Sequence, residues 1–333
     1  MKVIDIHSHF FPKTWPNLQE KFGGDDWPWL KHLPSNNNGF DKAMLMKGNK
    51  EFRPIYSACW DAEVRLQQMD EHGLEQQIIS ATPILFAYEK PIEQALYCAQ
   101  LFNDAALEIC QQGKGRLFAM AQVPLQNIDA ACKEASRAMN SGHVGIQIGN
   151  HVAEKNMDDE GVLTFLQHCA SENIPVFVHP WDMMSKSKME KYWLPWLVGM
   201  PAETSLAICS MIFGGVFERL PNLRVAFAHG GGSFPATISR IQHGFDVRPD
   251  LCAIDNNVSP KEYLGKFWLD SLVHDEHNLK YIIDLMGSDK IALGSDYPFP
   301  LGELQPGKLI RNFDIDLKTK ENYISVVNLH IFV

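Results

Sequence analysis

Five side chains in this sequence could hold or move charge at one place: His7, His9, His179, His229 and Asp296. The first two lie in Asp5-Ile6-His7-Ser8-His9, at the end of a short apolar run. In an extended chain, residues two apart face the same way, so both imidazoles can chelate one ion. A His-x-His pair alone is a weak signal, because two such histidines are more often structural. The other three residues repeat the same position in their own segments. His179 ends Val176-Phe177-Val178, His229 ends Val225-Ala226-Phe227-Ala228, and Asp296 follows Ile291-Ala292-Leu293-Gly294-Ser295. Imidazoles with one carboxylate suit a single divalent ion, Zn2+ above all, with Fe, Co and Mn as alternatives. An ion held this way lowers the pKa of its bound water to about 7. With His7, His9, His179 and Asp296 as ligands, His229 is left over as an acid or base. Gly230-Gly231-Gly232 after it allows close backbone approach, and an imidazole titrates near working pH.

Such residues need a scaffold that gathers strand ends. Eight short apolar runs read as buried parallel strands: Val3–Ile6, Gln77–Ser80, Leu117–Val123, Val144–Ile148, Val176–Val178, Arg224–Ala228, Phe267–Asp270 and Ile291–Gly294. Helical patterns separate them over Asp61–His72, Pro91–Gln112, Ile128–Asn140, Asp159–Ser171, Ala202–Leu220, Pro235–Phe245 and Glu276–Met286. Gly73, Gly113, Gly142 and Gly287 follow helices, where the chain often turns left-handed. The alternation predicts an α/β fold, a TIM-like (β/α)8 barrel whose strand C-termini carry the chemistry. An open doubly wound sheet is the competing arrangement, but no GxGxxG follows the first strand. Residues 10–60 break the alternation with Pro, Gly, Asn36-Asn37-Asn38 and Trp15, Trp27, Trp29 and Trp60. A stretch this long is usually functional or forms a subdomain. Its start directly after His9 marks it as a lid inserted after strand 1 of one domain spanning residues 1–333.

Composition narrows the partners. A net charge of −10 with no basic block speaks against a nucleic-acid surface. An anionic substrate stays possible, because a few pocket arginines can reverse the local field. Seven scattered cysteines without a CxxC suit a reducing compartment, and argue against a disulfide frame or a cysteine zinc site. No stretch reads as the ~20 apolar residues of a membrane helix, and the start lacks the run of a signal peptide. The expectation is a cytoplasmic enzyme that meets neither membrane nor nucleic acid.

Longer segments carry more specific information. They are Asp5 to His9, Gly145 to Gly149 (GIQIG), His179 to Met183 (HPWDM), Tyr192 to Thr204 (YWLPWLVGMPAET), His229 to Ser233 (HGGGS) and Gly294 to Glu303 (GSDYPFPLGE). With these, the chain resembles the amidohydrolase superfamily in its metal-dependent, non-hydrolytic decarboxylase branch. The resemblance implies one divalent ion per subunit on His7, His9, His179 and Asp296, with His229 as catalytic acid/base. It implies decarboxylation of a small dicarboxylate semialdehyde, without O2 or an organic cofactor. Arg53, Arg240 and Arg248 match substrate-binding arginines, and Trp196 and Phe299 match pocket-lining positions. It further implies a homodimer in which Arg240 reaches the neighbouring site. A substrate with two carboxylates does need planar, bidentate cations, which is what arginine supplies. The alternative is a single-metal hydrolase of a lactone or amide on the same scaffold. Two-metal members carry a bridging lysine after strand 4; here that stretch reads Gln147-Ile148-Gly149-Asn150. One departure stands out: Ser325 to Val333 does not read as the apolar helix that closes related chains.

Overall fold

The apolar runs become the staves of a ring. The computed structural model describes residues 3–34 and 41–312. Its strands are β1 (Ile4–Phe10), β2 (Pro28–His32), β3 (Lys42–Lys47), β4 (Lys50–Tyr56), β5 (Gln76–Ala81), β6 (Leu117–Ala121), β7 (Gly145–Gly149), β8 (Val176–His179), β9 (Val225–Phe227), β10 (Trp268–Asp270) and β11 (Ile291–Ala292). Eight of them form one parallel sheet in the order β1-β5-β6-β7-β8-β9-β10-β11. All eight are strands expected from the sequence, and β1 runs four residues further, through both histidines. The ends of the sheet meet beyond β11. The Ile6 N–H donates to the Leu293 carbonyl at 2.8 Å, Asp296 N–H to His7 at 2.8 Å, and His9 N–H to Tyr297 at 2.7 Å. The seam that closes the ring is therefore the segment that carries Asp296.

Helices follow the strands as the periodicity indicates. Ala62–Glu71, Glu160–Ser171 and Glu276–Met286 each start on an aspartate whose carboxylate accepts first-turn N–H groups. Such a cap contributes about 1 kcal/mol. Gly142 takes the left-handed conformation at φ 109°, as expected, but Gly113 ends its helix at φ −76°. Its requirement is space, since an added Cβ would sit 2.6 Å from the Leu117 side chain.

The helix expected over Ala202–Leu220 departs most from expectation. It runs Met200–Phe213, and the chain breaks at Gly214-Gly215 before a short turn of helix at Val216–Arg219. A π-helical turn, Pro195–Gly199, precedes it. Together Pro195–Phe213 makes 19 residues, long and apolar enough by composition to cross a membrane, contrary to the expectation that no stretch reads so. Ala, Gly, Ser and Thr dilute its large side chains, which hid it. One face, with Ala207, Ile208, Met211 and Ile212, is buried in the barrel's outer layer, as a core helix would be. The same helix buries the Glu203 carboxylate against polar loop atoms.

The insertion after β1 is built as a small antiparallel sheet, β2-β3-β4, with a short helix at Leu18–Phe22. Leu18, Trp27, Ala43, Leu45 and Ile55 bury one side of it in the common core. Residues 35–40 of the insertion, and the segment after Asn312 with its unusual Ser325–Val333 ending, lie outside the described residues.

Candidate metal centre

The C-terminal ends of β1, β8 and β9 and the closing seam after β11 bring the five expected side chains together. The His7, His179, His229 and Asp296 donor atoms all lie within 4.8 Å of one another. His9 stands beside them, its Nε2 3.3 Å from His7 Nε2 and 3.0 Å from Asp296 Oδ1. Asp296 Oδ1 is also 3.7 Å from His7 Nε2, and its Oδ2 is 3.8 Å from His229 Nε2.

The hydrogen bonds around the ring fix which nitrogens point inward. His7 Nδ1 lies 2.6 Å from Asp270 Oδ2, so its Nε2 is the free nitrogen. His179 Nδ1 donates to the Pro180 carbonyl at 2.7 Å, which leaves a bare Nε2 lone pair. That Nε2 and His229 Nδ1 are buried without a hydrogen-bond partner. Buried polar atoms are rarely left so, and an orphan of this kind marks a missing partner. His9 Nδ1 faces Ser80 Oγ at 3.4 Å.

A divalent ion fits this donor set. Metal–ligand distances of about 2.0–2.1 Å put tetrahedral ligands ~3.4 Å apart. The 3.0, 3.3 and 3.7 Å separations among His7, His9 and Asp296 fall around that value. Three of the groups already hold the protonation states an ion needs, whereas for His7 burial is outweighed by the hydrogen bond and charge of Asp270, with the charges of Asp296 and Asp5, and the pKa is raised. Burial, joined by neighbouring imidazoles, keeps His179 well below its ordinary pKa. Burial likewise pushes His9 down to about 4, against the pull of Asp296. Burial raises the Asp296 pKa, but hydrogen bonds and charge from His229, His9 and His7 outweigh it and hold the carboxylate well below its usual range.

Each donor is in turn fixed from behind. Asp270, at the end of β10, takes His7 Nδ1 and also the N–H groups of His229 and Gly230, at 2.9 and 2.7 Å. Asp5 accepts from His7 N–H, from Gln77 Nε2 and from Ser295 Oγ, tying β1 to the seam. The fully buried Arg65 donates to the His9 carbonyl at 2.5 Å and to Gln77 at 2.8 Å. Two glycines make the crowding possible. A Cβ on Gly294 would lie 2.7 Å from Asp270 and 2.8 Å from His7, and one on Gly232, at φ 61°, would meet the Pro201 carbonyl at 2.4 Å. His229 and Asp296 themselves take positive φ, 56° and 55°. Non-glycine residues held there concentrate at working sites.

On the substrate side the structure brings three of the five remaining residues to the same rim. Arg53, on β4 of the insertion, places its guanidinium 3.8 Å over the Phe299 ring, and its Nε is buried without a partner. The Phe299 ring is 5.5 Å from that of His9. Trp196 sits on the π-helical turn and, with Met200, Leu272, Val273 and Leu301, lines a cavity of about 340 Å³ that His229 borders. Arg240 and Arg248 are not brought in. Both are exposed, Arg240 midway along helix Phe234–Val247 and Arg248 just past its end, where it pairs with Asp250 at 2.7 Å.

Comparison with known proteins places this rim in a family. The amidohydrolase family matches residues 4–322. A 2-amino-3-carboxymuconate-6-semialdehyde decarboxylase from Dictyostelium discoideum is 50% identical, covering 96% of this chain and 89% of its own. The chain belongs to the 2-amino-3-carboxymuconate-6-semialdehyde decarboxylases of the amidohydrolase family. The Sus scrofa protein of that name is 40% identical over 92% of this chain and 99% of its own. In fold, a 5-carboxyvanillate decarboxylase from Novosphingobium aromaticivorans, with bound manganese, superposes at a TM-score of 0.75, with 21% identity over 83% of this chain and 82% of that one.

Sequence reasoning missed Asp270. The signal was present, a carboxylate ending a barrel strand, but the residue reads equally well as the last residue of Phe267–Asp270. It also missed Arg65 and Gln77, which face inward from positions that look like ordinary helix and strand.

Proposed function

We propose that this rim decarboxylates 2-amino-3-carboxymuconate 6-semialdehyde to 2-aminomuconate 6-semialdehyde, a step of tryptophan and 3-hydroxyanthranilate catabolism. The observation that carries the reading is the convergence of an imidazole–carboxylate donor set with one spare histidine and an arginine whose buried Nε has no partner. His7, His9, His179 and Asp296 would hold one divalent ion, and Zn2+ suits three nitrogens with one oxygen. When bound, the ion supplies positive charge that steadies negative charge on the substrate.

The residues do the rest. Arg53 offers its fork to a substrate carboxylate, and its stacking on Phe299 orients the guanidinium plane. Trp196, Leu272 and Leu301 keep water from the carbon skeleton. As the carbon–carbon bond to the departing carboxylate breaks, its electron pair stays on the substrate carbon and CO2 leaves. His229, whose ring borders the cavity, delivers a proton to that carbon and is re-protonated from water. Asp270 holds the His229 backbone so that the ring stays aimed.

Arg240 stands exposed outside its own site, which supports a homodimer in which it serves the neighbouring one. Seven unpaired cysteines support a reducing, cytoplasmic setting. Incubating the enzyme with the muconate semialdehyde and following its near-ultraviolet absorbance tests the reading. Loss of absorbance with release of one CO2 supports it. Unchanged absorbance alongside lactone or amide turnover favours the hydrolase instead.

A further inference from the structure

Among the buried polar groups that the proposed chemistry does not use, Glu203 is the best connected. It lies one turn into helix Met200–Phe213, 2% exposed, directly after the π-helical turn that carries Trp196. One carboxylate oxygen, Oε1, accepts the Met184 N–H at 2.6 Å. The other, Oε2, accepts from Asn150 Nδ2 at 2.6 Å. Asn150, itself 2% exposed, spends its oxygen on the Trp181 N–H at 3.0 Å. Because Oδ1 must accept there, Nδ2 must face Glu203, and the amide has only one workable orientation. Nearby, His151 Nε2 is 4.0 Å from the carboxylate, and it lies 2.9 Å from the Asp182 carbonyl.

These bonds meet at one place in the chain. Trp181 and Met184 bracket the turn that leaves β8 immediately after His179. Met184 and Met200 are the two ends of the long excursion that presents Trp196. Tyr192 and Trp193 within it take positive φ, 61° and 58°, a backbone that bulky side chains do not adopt unaided. Something outside the excursion has to hold its base closed.

We infer that Glu203 is a positioning residue, a clasp that fixes the His179 turn and the Trp196 wall to each other through Asn150 and Met184. The inference rests on the reading of His179 as a metal-holding residue and Trp196 as part of the substrate pocket. A clasp of this kind acts on the ligand's orientation, and outer partners of metal ligands typically govern affinity by about 10–100-fold.

The test reverses the polarity of the clasp. Glu203→Gln leaves one acceptor oxygen for two donors, so the amide must lose either the Asn150 bond or the Met184 bond. Adding Asn150→Asp restores the pairing between positions 150 and 203 with donor and acceptor exchanged. The carboxylate then at position 150 can accept from the amide at position 203 and still accept from the Trp181 N–H. Zn2+ affinity by chelator competition, kcat and KM, and thermal midpoint are measured for wild type, both single variants and the double variant. We expect each single variant to lose about tenfold or more in metal affinity and in kcat/KM, and the double variant to regain most of both. Unchanged metal affinity and kcat in a folded Glu203→Gln protein overturns the clasp, as does a double variant no better than either single one. Should Glu203→Gln fail to fold, Asn150→Ala, which leaves the Met184 bond in place, gives the same comparison of metal affinity against thermal midpoint. A wild-type enzyme that neither binds the ion nor decarboxylates would refute the functional reading itself, separately from the clasp.

Discussion

The two sides of the rim are built differently. On the metal side, His7, His9 and His179 are wholly buried with Asp296 at their edge, and the histidines lean on Asp270, Ser80 and Pro180. On the substrate side, Arg53 keeps an unsatisfied Nε, Trp196 rides on a strained excursion, and Arg240 and Arg248 lie outside. The contrast is what the chemistry asks for. A small ion is bound by fixed donors whose reorganisation would cost affinity. A substrate must enter, so its contacts are left open, or come from a neighbouring subunit as in the proposed dimer.

Removing the spare histidine tests the division most severely. His229→Ala should keep its metal and lose turnover by about 10²–10⁴-fold, the range for a lost general acid. Near-wild-type turnover with metal retained would remove His229 from the chemistry.

Next in size is the metal side's backing. Asp270→Ala frees His7 and the His229 backbone together, and should weaken metal binding by about 10–100-fold with a matching fall in activity. An unchanged metal affinity, read by chelator competition, would show that the donors need no such support.

The substrate side should answer differently. Arg53→Ala should raise KM by about tenfold or more while metal content stays at one ion per chain, the loss of roughly 1.5–3 kcal/mol from a charged hydrogen bond. If the variant instead loses its metal, the two sides are not separate.

The smallest effect concerns pH and the chelated protein. His9 is held down to about 4 from 6.5, so the unfolded chain binds the extra proton between those values. Stability from His9 is therefore complete above pH 6.5 and lost as pH falls towards 4. Asp5 works the other way: burial raises it to about 6 from 3.8, so its contribution is present at low pH and lost as pH rises through about 6. The two should largely offset each other, and Asp5→Asn should steepen the acid lability seen in thermal midpoints between about pH 4 and 6. A shallower dependence in that variant would contradict the assignment.

The same contrast explains what could be read from the sequence. The metal side was legible because its residues sit at the ends of apolar strands, where period and position both speak. The eight strands and most helices were legible for the same reason. Asp270, Arg65 and Gln77 were not, since a buried partner is defined by what lies across the barrel, and no local pattern records that. Arg53 was found through resemblance; nothing in Phe52-Arg53-Pro54 announces that a separate antiparallel sheet will carry it over Phe299. The Pro195–Phe213 run was underestimated because small residues dilute it.

The central claim is one ion and one spare histidine acting on the same substrate. The direct measurement is metal content together with decarboxylation of the muconate semialdehyde, before chelation, after it and after adding Zn2+ back. The account predicts about one ion per chain, activity that disappears with the metal and returns with it, and His229→Ala protein that binds the ion but turns over about 10²–10⁴-fold more slowly. Full activity in metal-free protein would contradict it.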